Sequence, residues 1–446
     1  MIPRIQKFLQ QRFVKDTLTL QVGKVGVLAV GLLGSIIVPV AMGPSVYGAW
    51  QLILTLHDLW QNLNLTGLAV SAQTRLGTAV GEDNPQALQR IMAVYVRGSL
   101  LYCVVSSALL AVITPLIASV FYGGDPTIPR LALILSLIQP TELLFQLALL
   151  AFGSQRQMRY VALLQNVNQI ALVVTAVVAV SIAQTPQAMV IARFAYSWVT
   201  LAVAVTLYAR TRATALPNFP TLAALWRAIP HERDPETWRF GLVNALDKGV
   251  AGLFLQLPVQ MVGILRGAAA AGYLGLALNA LRQGSFFTSA LFDTMQAVIP
   301  QAVGRRDYVG LWRNFWRVTV TLMVGSLAFY SLFALGVGWV VPLIYGQTWL
   351  PIIPLLQVLA LFGALTTIGS VFGPLYRAFQ QVRGALWIKV GVLAIGLPVG
   401  YVWINQYGEL GGAWLVNLWY ALSVAATAWL SVPELRRRAT SDILPQ

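Results

Sequence analysis

Residues Val30 to Leu56, VGLLGSIIVPVAMGPSVYGAWQLILTL, contain no charged side chain. An apolar helix of about 20 residues crosses the hydrocarbon of a bilayer. The run 18–42 is long enough to do so, Gly43-Pro44 breaks it, and a second apolar run follows at 48–70. Two spans in succession is the reading.

The rest of the chain has the same character. Of its 446 residues 57% are hydrophobic and 10% charged, where a soluble domain carries about 25% charged residues. Mean hydropathy is +0.71. No globular core hides so much apolar side chain, and lipid accepts it. Further runs at 92–121, 130–152, 160–183 and 187–209 complete six, and six more follow at 240–264, 270–293, 316–344, 352–375, 385–404 and 410–432. The expectation is an all-α polytopic membrane protein of about twelve helices. It has a six-helix bundle over 1–209, a polar cytoplasmic linker over 210–239 containing Pro217, Pro220, Pro230 and Pro235, and a second bundle with a cytoplasmic tail over 240–446.

Charge sets the orientation. With the N-terminus inside, 23 Lys and Arg residues fall in inner segments and two, Arg130 and Arg266, in outer loops, as the positive-inside rule requires. The net charge of +15 is thereby spent on topology and lipid headgroups, not nucleic acid. Both termini are expected in the cytoplasm, and the basic segment Met1–Asp16 reads as a retained interfacial helix. No cleavable leader fits a first apolar run of spanning length.

The two halves repeat. GPSVYGAW (43–50) returns as GAAAAGYL (267–274) at an offset of 224, and TAVGEDN (78–84) as QAVGRRD (301–307) at 223. The stretch ending PLIASVFYG (115–123) returns as PLIYG (342–346). Even span counts in each half make the repeats parallel, with a substrate path between pseudo-symmetric bundles.

Ionisable side chains within spans mark pathways or wet cavities by default. Lys24 and Lys248 are 224 apart, so the repeat sets a lysine at one depth in both halves. Asn244 and Asp247 share a helical face with Lys248. The second span carries His57, Asp58 and Gln61, the eighth Asn279, Arg282 and Gln283, and the fourth Glu142. Lys24, Lys248, Arg97, Arg193 and Lys389 lie close enough to helix ends for snorkelling to the interface to compete with a cavity role, and the amides also suit interhelical hydrogen bonds. One cysteine, Cys103, and two histidines, His57 and His231, leave no metal cluster to build. No Walker A loop, GxSxG elbow or HExxH helix occurs, so neither an enzyme nor a cofactor is expected.

The quoted run, with its span ending in M-G-P-S-V-Y-G, resembles the first-helix signature of the polysaccharide transporters. VQMVGILRGAAAAGYLGLALNALRQGSFF (259–287) resembles their seventh-to-eighth-helix turn, and VVPLIYGQTWLPIIPLLQVLAL and YGELGGAWLVNLWYAL their later spans. The family, which includes O-antigen flippases, lies within the multidrug, oligosaccharidyl-lipid and polysaccharide exporter superfamily. The resemblance implies a MATE-like V-shaped pair of bundles that moves polyprenyl-diphosphate-linked oligosaccharide from the inner to the outer leaflet of the bacterial cytoplasmic membrane. It also implies Lys24, Lys248 and Arg282 as the diphosphate's cations, and a polymerase and glycosyltransferases as partners in the pathway. Asp58, where a further cation would help, departs from the pattern. Coupling to protons or sodium through the acidic residues stays open, as do a cation-coupled multidrug exporter and a flippase for the peptidoglycan lipid precursor.

Overall fold

The computed structural model describes residues 12–62, 65–232, 234–284, 306–379 and 381–441, together with positions 295, 299, 302 and 303. The described elements are helical: α1 (Arg12–Asn62), α2 (Leu65–Gly81), α3 (Pro85–Phe121), α4 (Thr127–Ser136), α5 (Gln139–Ser154), α6 (Met158–Ile182), α7 (Pro186–Ala215), α8 (Leu222–Ala228), α9 (Pro235–Arg266), α10 (Ala268–Gly284), α11 (Tyr308–Tyr345), α12 (Ile352–Gly369), α13 (Phe372–Ala378), α14 (Val382–Tyr407) and α15 (Glu409–Ser441). Among the described residues nine helices are long and apolar enough to cross a membrane, and the number is ten if the pair α4 and α5, bent by 40°, is one broken span and not a re-entrant loop. The shape of α1 brings this towards the twelve expected spans. The helix α1 holds two arms joined at Gly43, whose φ of 71° and ψ of 166° are not helical. The protein is a multi-pass all-α membrane protein.

The chain forms two compact units. The first comprises residues up to Ala41 together with Leu56–Gly249, and the second comprises Met42–Thr55 with Val250 onward. The kink at Gly43 thus hands the start of the second arm of α1 to the second unit.

Within the first unit, Leu76, Leu88, Tyr95, Leu143, Phe152 and Leu164 are fully or almost fully buried in one core. The segment 210–239, read as a polar linker, folds back onto this core. Leu216 and Phe219 are buried, and Leu225 of α8 joins them. Tyr208 donates to the Pro220 carbonyl at 2.7 Å and Arg212 Nε to the Phe219 carbonyl at 2.7 Å. Asn218 donates to Asp83, Arg97 to the Pro230 carbonyl at 3.2 Å, and Arg75 pairs with the buried carboxylate of Asp234 at 2.5 Å. The prolines end helices here, while the apolar side chains between them find the bundle.

Within the second unit, α10 packs against the stretch 44–55 at backbone distance. A β-carbon on Gly48 would collide with the Ala268 carbonyl, and one on Gly272 would lie 3.0 Å from Gly48 Cα. Trp349 is fully buried, with the rings of Tyr47 and Tyr273 edge-on to it at 5.7 Å each. Phe254 stacks on Trp419 at 5.5 Å in a separate cluster with Val392, Leu393 and Leu415.

The sequence repeat is a backbone repeat. Gly43 and Gly267 both take positive φ, 71° and 89°, as do Gly123 and Gly346, 60° and 78°. Asp83 and Arg306, matched by the 223-residue offset, are both left-handed at 49° and 59° although neither is glycine, and a left-handed non-glycine residue is uncommon. The next residues, Asn84 and Asp307, both cap a helix: Asn84 Oδ1 accepts from Ala87 N at 3.0 Å and Asp307 Oδ1 from Gly310 N at 2.9 Å.

Candidate functional site

The polar residues singled out in the spans separate into the two units. In the first, the last turns of α1 present His57, Asp58 and Gln61, which are three and four residues apart across one face. Gln61 Nε2 donates to Glu142 Oε2 on α5. Gln61 also reaches His57, which is buried, and Arg193 on α7 acts electrostatically on both His57 and Glu142. Arg193 lies over the ring of Tyr196 at 5.3 Å, and the Tyr196 hydroxyl donates to Asn168 Oδ1 on α6 at 2.8 Å. Four helices therefore bring Glu142 and Arg193 into one polar cluster, with Asp58 on the same stretch of α1 as His57 and Gln61.

Two atoms of this cluster are buried without a hydrogen-bond partner, His57 Nδ1 and Arg193 Nε. Leaving such groups unsatisfied in low dielectric costs about 1–3 kcal/mol each. Tyr102 on α3 closes one side by donating to the Trp60 carbonyl at 2.8 Å. Chemically, a half-buried carboxylate facing a fixed guanidinium can exchange a proton or a cation and so change the net charge of the cluster by one unit.

In the second unit a set of neutral side chains is linked by hydrogen bonds, while the buried Lys389 lies apart from it over the Tyr376 ring at 5.9 Å. Gln260 Nε2 donates to the Leu52 carbonyl at 2.6 Å and to Thr55 Oγ1 at 2.7 Å, and Thr55 donates in turn to the Gln51 carbonyl at 2.7 Å. Asn279 Nδ2 lies 3.4 Å from the Tyr47 hydroxyl and 3.5 Å from Gln51 Oε1. These amides join α9 and α10 to the second arm of α1, an interhelical role.

Of the residues expected from sequence, Gln61 and Glu142 are brought together. Asn279 joins the neutral set, and Asp58 is half-buried beside His57. Arg282, exposed near the end of α10, acts electrostatically on Tyr420 of α15, and Gln283 beside it is half-buried. Lys24, Asn244, Asp247 and Lys248 belong to helices α1 and α9, and their side chains lie outside the described residues. Arg193 was open to snorkelling on its position near a helix end, but its guanidinium turns into the bundle. His57, Tyr196 and Asn168 complete a constellation that sequence spacing did not assemble, because its members come from four separate helices.

No family model matches the chain. The lipopolysaccharide biosynthesis protein WzxC of Escherichia coli (strain K12) is 28% identical over 191 residues, which is 41% of this chain and 36% of the relative's length. The matched stretch thus spans little more than a third of that relative. Among solved structures, an inward-facing multidrug resistance MATE family transporter of the MOP superfamily superimposes with a TM-score of 0.70 at 15% identity, covering 93% of this chain and 95% of the other. The eukaryotic MATE transporter AtDTX14 gives 0.69 at 12% identity over 97% and 99%. A MOP superfamily transporter from Pyrococcus furiosus gives 0.65 at 16% identity over 97% of each. The chain has the MATE transporter fold.

Proposed function

We propose that this chain, a membrane protein with the MATE transporter fold, is a flippase. Its cargo is polyprenyl-diphosphate-linked oligosaccharide, carried from the inner to the outer leaflet of the bacterial cytoplasmic membrane by alternating access. The product serves O-antigen, capsule or exopolysaccharide assembly. The observation that carries this reading is the likeness to a lipopolysaccharide biosynthesis protein in a chain whose fold is a transporter's. The basic bias of its intramembrane candidates, Lys24, Lys248 and Arg282, agrees with an anionic cargo, since a cation in a low-dielectric setting attracts a diphosphate far more strongly than in water.

The acidic cluster of the first unit has a separate part in this reading. Glu142, bonded by Gln61 and facing Arg193, is the group that takes up and releases the coupling proton or sodium ion. Both termini are cytoplasmic, in keeping with the distribution of lysine and arginine. A polymerase and glycosyltransferases of the same pathway act before and after the transport step.

A deletion strain tests the proposal. Loss of surface glycan with unchanged susceptibility to cationic drugs is the expected outcome, restored by the wild-type gene. Intact glycan with increased drug susceptibility would instead assign the chain to multidrug export.

A further inference from the structure

Helix α3 carries a polar stripe through the first unit. Tyr95, Ser99, Cys103 and Ser106 recur at steps of three and four residues, so they share one face, and all four are buried. The helix packs on α4 and α5 around the break between them. There Ser107 Oγ lies 3.2 Å from Ser136 Oγ, and Ser106 Oγ donates to Gln139 Oε1 at 3.5 Å. Ser136 and Gln139 are buried too. Pro140 has no N–H to give to the Ser136 carbonyl, and the two helices are bent by 40° at this point. Glu142 follows Gln139 by three residues on the same side of α5. Its charge acts on Cys103, which in turn acts on Tyr95. The stripe thus passes from Ser107 and Ser136, by the Glu142 carboxylate, to Tyr95, about 18 Å along α3 at 1.5 Å per residue.

Three atoms of the stripe are buried without a hydrogen-bond partner: the Tyr95 hydroxyl, Ser99 Oγ and Gln139 Nε2. A buried water makes about three hydrogen bonds to groups of this kind. A hydroxyl both donates and accepts, so the serines can pass a proton along by exchanging bonds with each other and with water. A sodium ion needs a shell of oxygens in place of its hydration, and beside Glu142 it would meet the Arg193 guanidinium. A proton neutralises the carboxylate without adding a second cation. The groups that face Glu142 are His57 of α1 through Gln61, Cys103 of α3, and Arg193 and Tyr196 of α7, with Asp58 next to His57. Arg75 of α2 is committed to Asp234, and Asn168 of α6 is neutral.

We propose that the polar seam between α3 and the break of α4 and α5 is a hydrated proton path to Glu142, and that the coupling ion is the proton and not sodium. This rests on the reading of Glu142 as the coupling group. In the orientation proposed above, Ser107 and Ser136 are towards the outer end of the seam, so the proton enters from outside. Ser106 and Gln139 carry it to the turn of α5 that holds the carboxylate.

Time-resolved infrared spectroscopy of the full-length protein in lipid tests this without any cargo. Protons are released by flash photolysis of a caged acid, and the C=O stretch of protonated Glu142 is the band that Glu142→Gln lacks. In Ser106→Ala and in Gln139→Leu this band should rise at least about tenfold more slowly, the effect of one lost hydrogen bond on a barrier, to an unchanged final height. Ser181→Ala, at an exposed serine of α6, should match the wild type. Sodium chloride added at constant pH should leave the band as it is. Should Gln139→Leu fail to fold, Ser107→Ala takes its place. A wild-type rise in the double variant of Ser106 and Gln139 would overturn the path, and loss of the band on adding sodium would overturn the choice of ion. The flippase reading, which is read out by transfer of lipid-linked sugar, survives either result. Absence of the Glu142 band from the wild type at every pH would remove Glu142 as the coupling group and the path with it.

Discussion

Gly48 and Gly272, 224 positions apart in sequence, meet backbone to backbone, and the β-carbon that either one lacks would strike the other helix. Both follow, by five residues, a glycine of positive φ that ends the preceding helix segment. The repeated motif therefore encodes one device twice: a break in the chain, then a small residue that lets the next helix approach its counterpart.

That contact makes substitution costly. Gly48→Val inserts a branched side chain against the Ala268 carbonyl, which has no flexible end to yield. We expect a loss of at least about 1–3 kcal/mol, the usual penalty of overpacking, seen as a lowered Tm of the detergent-solubilised protein. Gly336, which has open space around its would-be β-carbon, is the control. Gly336→Ala should change stability by less than about 1 kcal/mol.

The charged cluster of the first unit predicts non-additivity. Arg193→Gln leaves Glu142 facing no guanidinium, and Glu142→Gln leaves Arg193 facing no carboxylate. The two groups are half-buried and, among the described residues, act on each other without a direct ion pair, so each single loss should fall below the about 3–5 kcal/mol of a broken buried pair. The double variant should therefore be more stable than the sum of the single losses allows, by about 0.5–3 kcal/mol in a double-mutant cycle. Strict additivity would mean that the two groups do not interact. Transport should be lost in all three variants, because none retains an exchangeable carboxylate beside a guanidinium.

The segment after α7 gives a third expectation. Asp234→Asn removes the charge that Arg75 meets at 2.5 Å and loosens the attachment of 216–234 to the bundle. Limited proteolysis between Leu216 and Asp234 should speed up severalfold, while the melting of the core changes little. Unchanged cleavage would show that Phe219 and Leu225 hold the segment without the ion pair.

How much of this was legible follows from the range over which each interaction acts. Spans and the repeat are local patterns of hydropathy and glycine, and the left-handed pair Asp83 and Arg306 matches in backbone the offset of 223 seen in letters. The 210–239 segment reads as a linker because its four prolines dominate the pattern. The apolar positions 216, 219 and 225 were the signal that it packs. Arg193 could not be assigned from sequence: its depth near a helix end fits snorkelling equally well, and only the packing of α5, α6 and α7 turns it towards Glu142. Gln61 and Glu142, 81 residues apart, were each singled out as polar and buried, but their pairing is a property of the fold.

The central claim is that the protein moves a lipid-linked anionic sugar using intramembrane cations. The most direct measurement reconstitutes it in proteoliposomes with a polyprenyl-diphosphate-linked oligosaccharide and follows the arrival of sugar on the opposite leaflet. Wild-type protein should transfer the lipid-linked sugar, and the Lys24→Ala, Lys248→Ala, Arg282→Ala triple variant, present at equal level, should not. Transfer by the triple variant at the wild-type rate, or no transfer by the wild type in either leaflet direction, would contradict the account.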